Sequence, residues 1–258
     1  MFYPEHKLRE VVRRVSNGVD FGAIAAQWQI PTEVVYDLAG MALYDVWLLC
    51  DDSWSMANTP DDPDRIADLE LICDKVASIA TLFDDDGINI RFMNSQYAPD
   101  NVRTTADVKN ALARVSYNGI TPMGTSAYKK IMEPYLRNAR HTPPTKPILI
   151  IIVTDGTPQG EEITFESAVM RAHRSLQDMG MSPYSIAIQV AQVGNDIKAQ
   201  KFLNELDNHH HIGHMIDCTA NYEFEAGEMA KKGVSMSAYL WLLKLMVGAV
   251  DPEYDEKD

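Results

Sequence analysis

Hydrophobic positions along this chain alternate between a helical period and short unbroken apolar runs. Leu8, Val11, Val12 and Val15 recur at helical spacing, and Asn17-Gly18 closes that run. Phe21, Ile24, Ala25 and Trp28 form a second stripe, and Pro31-Thr32 opens a third with Val34, Val35, Leu38 and Ala39. From Tyr44 to Cys50 the pattern changes to a run of apolar and β-favouring residues, which predicts a buried strand. Ile66, Leu69, Ile72, Cys73, Val76, Ile79, Ala80 and Phe83 then mark a long amphipathic helix, and Ile88 to Met93 reads as the second strand. A short edge strand is expected at Asn101 to Thr104, with helices over Asp107 to Val115 and Ala127 to Arg137. Ile148 to Val153 is the most apolar strand. A helix from Phe165 to Met179, stopped by Gly180, leads to a strand from Tyr184 to Val193. Ile197 to Leu206 is helical, His214 to Cys218 is a final strand, and Leu240, Leu243, Val247 and Val250 offer a closing helical face.

Strands alternating with helices predict an α/β fold with a doubly wound, mostly parallel sheet. The expected organisation is an N-terminal helical extension over 1–42, the α/β domain over 43–250 and an acidic tail over 251–258. The three short N-terminal helices share the outline of a helix-turn-helix. The third presents Glu33, Tyr36 and Asp37 without an arginine or lysine, so the basic phosphate contacts of a DNA reader are missing.

Candidate chemistry collects where strands end. The first strand runs directly into Asp51-Asp52-Ser53-Trp54-Ser55-Met56. In open α/β sheets, ligands bind just beyond the carboxyl ends of strands. The i, i+2, i+4 spacing of Asp51, Ser53 and Ser55 lets a tight loop turn one carboxylate and two hydroxyls towards a single point. Hard oxygen donors of that kind suit Mg²⁺ or Mn²⁺. The same residue types cap helices and form turns, so this motif alone reads equally as a capped helix start. Two later stretches add weight. Gly119-Ile120-Thr121-Pro122-Met123-Gly124-Thr125 sets a threonine in a loop before a helix, and the Ile148 strand ends in Thr154-Asp155-Gly156.

Asp51-x-Ser53-x-Ser55, Thr121, and Asp155 with Gly156, in that order, resemble the metal-ion-dependent adhesion site of von Willebrand factor A-type domains. The resemblance covers residues from about 43 to 220 and implies a Rossmann-like domain. It is closest to intracellular fungal members, through Leu82-Phe83-Asp84-Asp85-Asp86-Gly87 and Ala191-Gln192-Val193-Gly194-Asn195-Asp196. It further implies that Ser53, Ser55 and Thr121 hold a divalent cation, Mg²⁺ or else Mn²⁺ or Ca²⁺, with Asp51 and Asp155 acting partly through water. A partner protein would complete the shell with an Asp or Glu carboxylate. Trp54 departs from the family, which usually has a small residue there, and puts ligand access in question.

Composition narrows the function. The net charge of −14 opposes a nucleic-acid backbone, and 46% hydrophobic with 23% charged residues is ordinary for a globular chain. Cys50, Cys73 and Cys218 are scattered in apolar surroundings and read as buried free thiols of a reducing compartment. The first residues lack the pattern of a signal peptide, and the apolar run from Tyr239 to Val250 is too short to span a bilayer and contains Lys244. A cytoplasmic protein is therefore expected.

The main functional expectation is a divalent-metal-dependent protein-binding module that is not an enzyme. The alternatives are a Mg²⁺-dependent hydrolase or phosphatase, and a scaffold with a non-functional metal site. No Gly-x-Ser-x-Gly, phosphate-binding glycine loop or His-Glu-x-x-His supports catalysis. Asp84-Asp85-Asp86 reads as a solvated turn, and the histidines from His209 to His214 as a surface loop. Glu253, Asp255 or Glu256 in the tail offers metal-dependent self-association as a further possibility.

Overall fold

Runs of β-branched and aromatic residues give a five-stranded sheet among the described residues. The computed structural model describes residues 5–83, 86–142 and 146–251. The strands are β1 (Asp45–Cys50), β2 (Asn89–Phe92), β3 (Ile148–Thr154), β4 (Ile186–Gln192) and β5 (Ile216–Thr219). Their order is β2-β1-β3-β4-β5 and every pairing is parallel. Residues of β3 and β4 are buried along their whole length. That is why they lack alternation: helices cover both faces of a parallel sheet.

The helices are α1 (Glu5–Gly18), α2 (Phe21–Trp28), α3 (Thr32–Val35), α4 (Trp54–Ala57), α5 (Arg65–Phe83) and α6 (Thr105–Leu112). After them come α7 (Met123–Ala127), α8 (Glu133–His141), α9 (Phe165–Asp178), α10 (Ile197–Asp207), α11 (Tyr222–Lys231) and α12 (Ala238–Val247). One face of the sheet, through Leu48, Cys50, Ile90 and Ile151, shares a core with α5, α12 and the N-terminal helices. The other face, through Leu49, Ile150, Ile152 and Ile188, packs against α7, α8 and α9. Trp28 of α2 stacks on Tyr239 of α12 with ring centroids 5.3 Å apart, so the second helix and the last one pack together.

The departures from expectation are local and have causes. The third N-terminal stripe is α3 followed by a 3₁₀ stretch, Tyr36–Leu43, which still buries Leu38 and Met41. The edge strand at 101–104 is reduced to one antiparallel bridge between Ile88 and Val102. A capping box between Thr104 and Asp107 starts α6 earlier than the apolar spacing indicates. The single helix expected from Ala127 is α7 and α8 joined by a π-helical turn, Tyr128–Met132, just before Pro134, whose missing N–H disturbs the regular ladder. Asp84 and Asp85 of the acidic turn, 143–145 of the linker and 252–258 of the tail lie outside the described residues.

Candidate binding site at the carboxyl end of the sheet

The strand order places a topological switch between β1 and β3. From β1 the chain crosses to β2 on one side and later to β3 on the other, so the loops after β1 and β3 diverge and leave a crevice. Cys50 pairs with Val153 at that end, which brings the Asp51 loop beside Asp155.

Hydrogen bonds join four of the five expected residues. The Ser53 N–H donates to Asp51 Oδ1 at 2.8 Å. The hydroxyls of Ser53 and Ser55 are 3.1 Å apart, and Ser55 Oγ donates to Asp155 Oδ1 at 3.1 Å. Asp51, Ser53, Thr121 and Asp155 are all buried, and Ser55 is half-buried. At Thr121 the carbonyl is what ties the loop down, accepting from the N–H groups of Met123 and Gln159 at 2.9 Å each.

Residues outside the expected set carry much of the site. Arg65, at the start of α5, donates from Nη1 to Asp155 Oδ2 and from Nε to Asp62 Oδ2, the latter at 2.9 Å. Its side chain is 7% exposed and that of Asp155 1%. Burial works against the guanidinium's charge, but the bonds to Asp62 and Asp155 outweigh it and raise its pKa. Asp62 Oδ2 also accepts the Asn195 N–H at 3.1 Å. Gly194, at φ +74°, makes this approach possible: a Cβ there would lie 2.5 Å from Asp62 Oδ2 and 2.7 Å from Arg65 Nε. Thr154 Oγ1 donates to Asp51 Oδ2 at 2.6 Å. Asp52, fully buried, accepts the N–H groups of Asn94 and Ser95 at 2.7 and 2.8 Å and so ties the β1 loop to the end of β2.

Burial pushes the Asp51 carboxyl up to about 6, with nearby Asp155 adding to the shift and bonds from Thr154 and Ser53 opposing it.

The expected divalent cation, Mg²⁺, Mn²⁺ or Ca²⁺, does not fit this arrangement. Among the described residues no group of three or more His, Cys, Asp or Glu side chains is placed to hold a metal ion. Both oxygens of Asp155 and both oxygens of Asp51 already accept hydrogen bonds within the protein. Arg65 also sets a positive charge directly against Asp155, which repels a second cation there. Asp51, Ser53, Ser55 and Asp155 form a hydrogen-bonded cluster with Arg65 held against Asp155, and the expected Mg²⁺, Mn²⁺ or Ca²⁺ is corrected accordingly.

The other candidates resolve similarly. His209 and His210 stack at 5.3 Å, while His214 meets His173 edge-on at 5.3 Å. Cys50 and Cys73 are buried with their sulfurs 3.7 Å apart, and Cys218 is half-buried. No helix among the described residues is long and apolar enough to cross a membrane.

The profile of the von Willebrand factor type A domain matches residues 45–225. No curated protein matches the chain. Many solved structures are similar, among them three. The manganese-loaded TRAP protein of Plasmodium vivax is 16% identical over 80% of this chain and 74% of its own, with a TM-score of 0.45. Proximal thread matrix protein 1 of the mussel byssus is 17% identical over 78% and 46%, at 0.40. The RO (RSR) protein of Deinococcus radiodurans is 14% identical over 97% and 50%, at 0.41. The chain thus spans about half the length of the last two. The cytoplasmic placement expected from the sequence is withdrawn, since membership of the family names no compartment.

Proposed function

The chain belongs to the von Willebrand factor type A domain family, and from that premise we propose that it is a metal-independent protein-binding module whose contact face is the carboxyl end of the sheet. Domains of this family are in general non-catalytic adhesion or scaffold modules, and the chain is accordingly not an enzyme. The division into an extension over 1–42, a domain over 43–250 and a tail over 251–258 is part of this proposal.

One observation carries the reading: Trp54 is 56% exposed and Ile120 46% exposed on the two loops that border the cluster. Single exposed apolar residues are ordinary, but these two are held together. The Trp54 N–H donates to the Gly119 carbonyl at 3.2 Å, and Asn94 Nδ2 donates to the Ile120 carbonyl at 2.8 Å. These bonds fix the backbone that presents both side chains, which lowers the cost of ordering the loops on binding. Asp61 and Asp64 are exposed on the neighbouring loop, so the partner that fits offers an apolar pocket with a basic rim. The carboxylate-donating partner and the tail-mediated self-association both depended on the metal and lose their basis with it.

The test is capture of binding proteins on the immobilised chain, with and without chelator, beside Trp54→Ala. A partner retained in chelator and weakened about 30-fold or more by Trp54→Ala supports the proposal. A partner released by chelator, or indifferent to Trp54→Ala, refutes it.

A further inference from the structure

The N-terminal helices carry a second surface, at positions that precede the family match at 45–225. A groove of about 890 Å³ runs between α1, α2 and the Tyr36–Leu43 stretch. Val11, Val12, Val15, Phe21, Tyr36 and Leu43 line it, with Val12 and Tyr36 each 55% exposed. A volume of this order takes several apolar side chains at once. Beside it, sharing Val11 and Asn17, lies a cleft of about 620 Å³ lined by Lys7, Arg13, Arg14 and Lys146 against Glu10 and Asp86. Lys146 already faces Asp45 at 2.7 Å, whereas Lys7, Arg13 and Arg14 are exposed on α1. That helix holds four basic and two acidic residues in a chain of net charge −14. An apolar trough with a cationic margin is thus set apart on a strongly anionic molecule.

We propose that this groove binds an acidic segment of a partner protein that carries aliphatic or aromatic anchors. The apolar trough takes the anchors, and Lys7, Arg13 and Arg14 meet the carboxylates. Helix-in-groove recognition combines these two components, with buried anchors supplying affinity and charge supplying orientation and on-rate. A basic segment is opposed by the margin, and the groove itself is lined by a single carboxylate, Asp20, which is engaged in capping α2. The inference does not rest on the sheet-end reading, since the two surfaces share no residue.

The test uses the full chain and fluorescence anisotropy. The probe is a labelled peptide of about twelve residues, with leucine and phenylalanine at helical spacing and glutamate or aspartate between them. Control peptides replace the acidic residues by lysine, or the apolar ones by serine. The expected result is saturable binding of the acidic amphipathic peptide alone. It weakens about tenfold or more in Arg13→Glu/Arg14→Glu and in Val12→Asp, weakens as salt is raised, and is unchanged in Trp54→Ala. All three altered α1 positions are exposed, and circular dichroism checks that the variants keep the fold. The proposal is overturned by any one of three results: no binding of the acidic peptide, equal binding of either control, or binding indifferent to Arg13, Arg14 and Val12.

Discussion

Arg65 and Asp155, ninety positions apart in sequence, meet as a buried ion pair where β1 and β3 part company. The pair also reaches Asp62 and, through it, the backbone of Asn195. Three loops are therefore fastened at one guanidinium. Removing one member of a buried pair strands the other, at a cost of about 3–5 kcal/mol. Arg65→Gln is expected to destabilise the fold by an amount in that range, and Asp155→Asn by a similar one. The double variant should cost clearly less than their sum. Urea denaturation of the four proteins reads this coupling directly, and additive losses would exclude it. Because Arg65 already balances Asp155, adding Mg²⁺ or EDTA should leave the melting temperature of the unaltered chain where it is.

Gly124 touches backbone, not side chain. A Cβ there would overlap the main chain of Thr164 and Phe165, where α7 crosses the start of α9. Backbone cannot swing aside as a side-chain end does. Gly124→Ala is expected to cost roughly 2–3 kcal/mol, with a drop in melting temperature as the readout. Gly227→Ala, where nothing lies within 4 Å, is the control and should cost nothing measurable.

Asp68, on α5, has its carboxyl pushed up to about 6 by burial, with Glu223, Asp64 and Asp62 adding to the shift. A raised carboxyl pKa means that the folded chain holds this proton more tightly than the unfolded one. The stabilisation is full below about pH 4, is lost as pH rises towards about 6, and stays lost above. Asp68→Asn should therefore match the unaltered chain near pH 4 and exceed it at pH 7, by about 1 kcal/mol once solvent screening is allowed for. A pH series of denaturation midpoints for the two proteins checks both the sign and the window.

The fold was legible because its strongest signals are unbroken ones. Ile148–Thr154 is buried throughout and allowed no reading but a central strand. The meeting of the β1 and β3 loops was legible too, since Asp51 and Asp155 follow directly on strands that pair at Cys50 and Val153. Arg65 was not legible. A charged residue opening an amphipathic helix is usually solvated, and only the tertiary meeting of α5 with the β3 loop buries it. The metal expectation failed for that reason: donors were visible in sequence, but the internal cation competing for them was not. The i, i+3 spacing of Asp62 and Arg65 was the available hint. α11 escaped notice because it has no fully buried residue to stamp an apolar period on its sequence.

The strand order has a consequence for how the chain is made. β1 is first in sequence but second in space, between β2 and β3. Asp51 and Thr154, which bond across that junction, lie 103 positions apart. At about 5–20 residues per second, a nascent chain carries β1 with one open edge for roughly 5–20 s before β3 can close it. An open, apolar strand edge is a template for the wrong partner. A chain halted before residue 148 should accordingly partition into the insoluble fraction while the complete one stays in solution, which makes the late arrival of β3, more than any surface feature, the hazardous step in producing this protein.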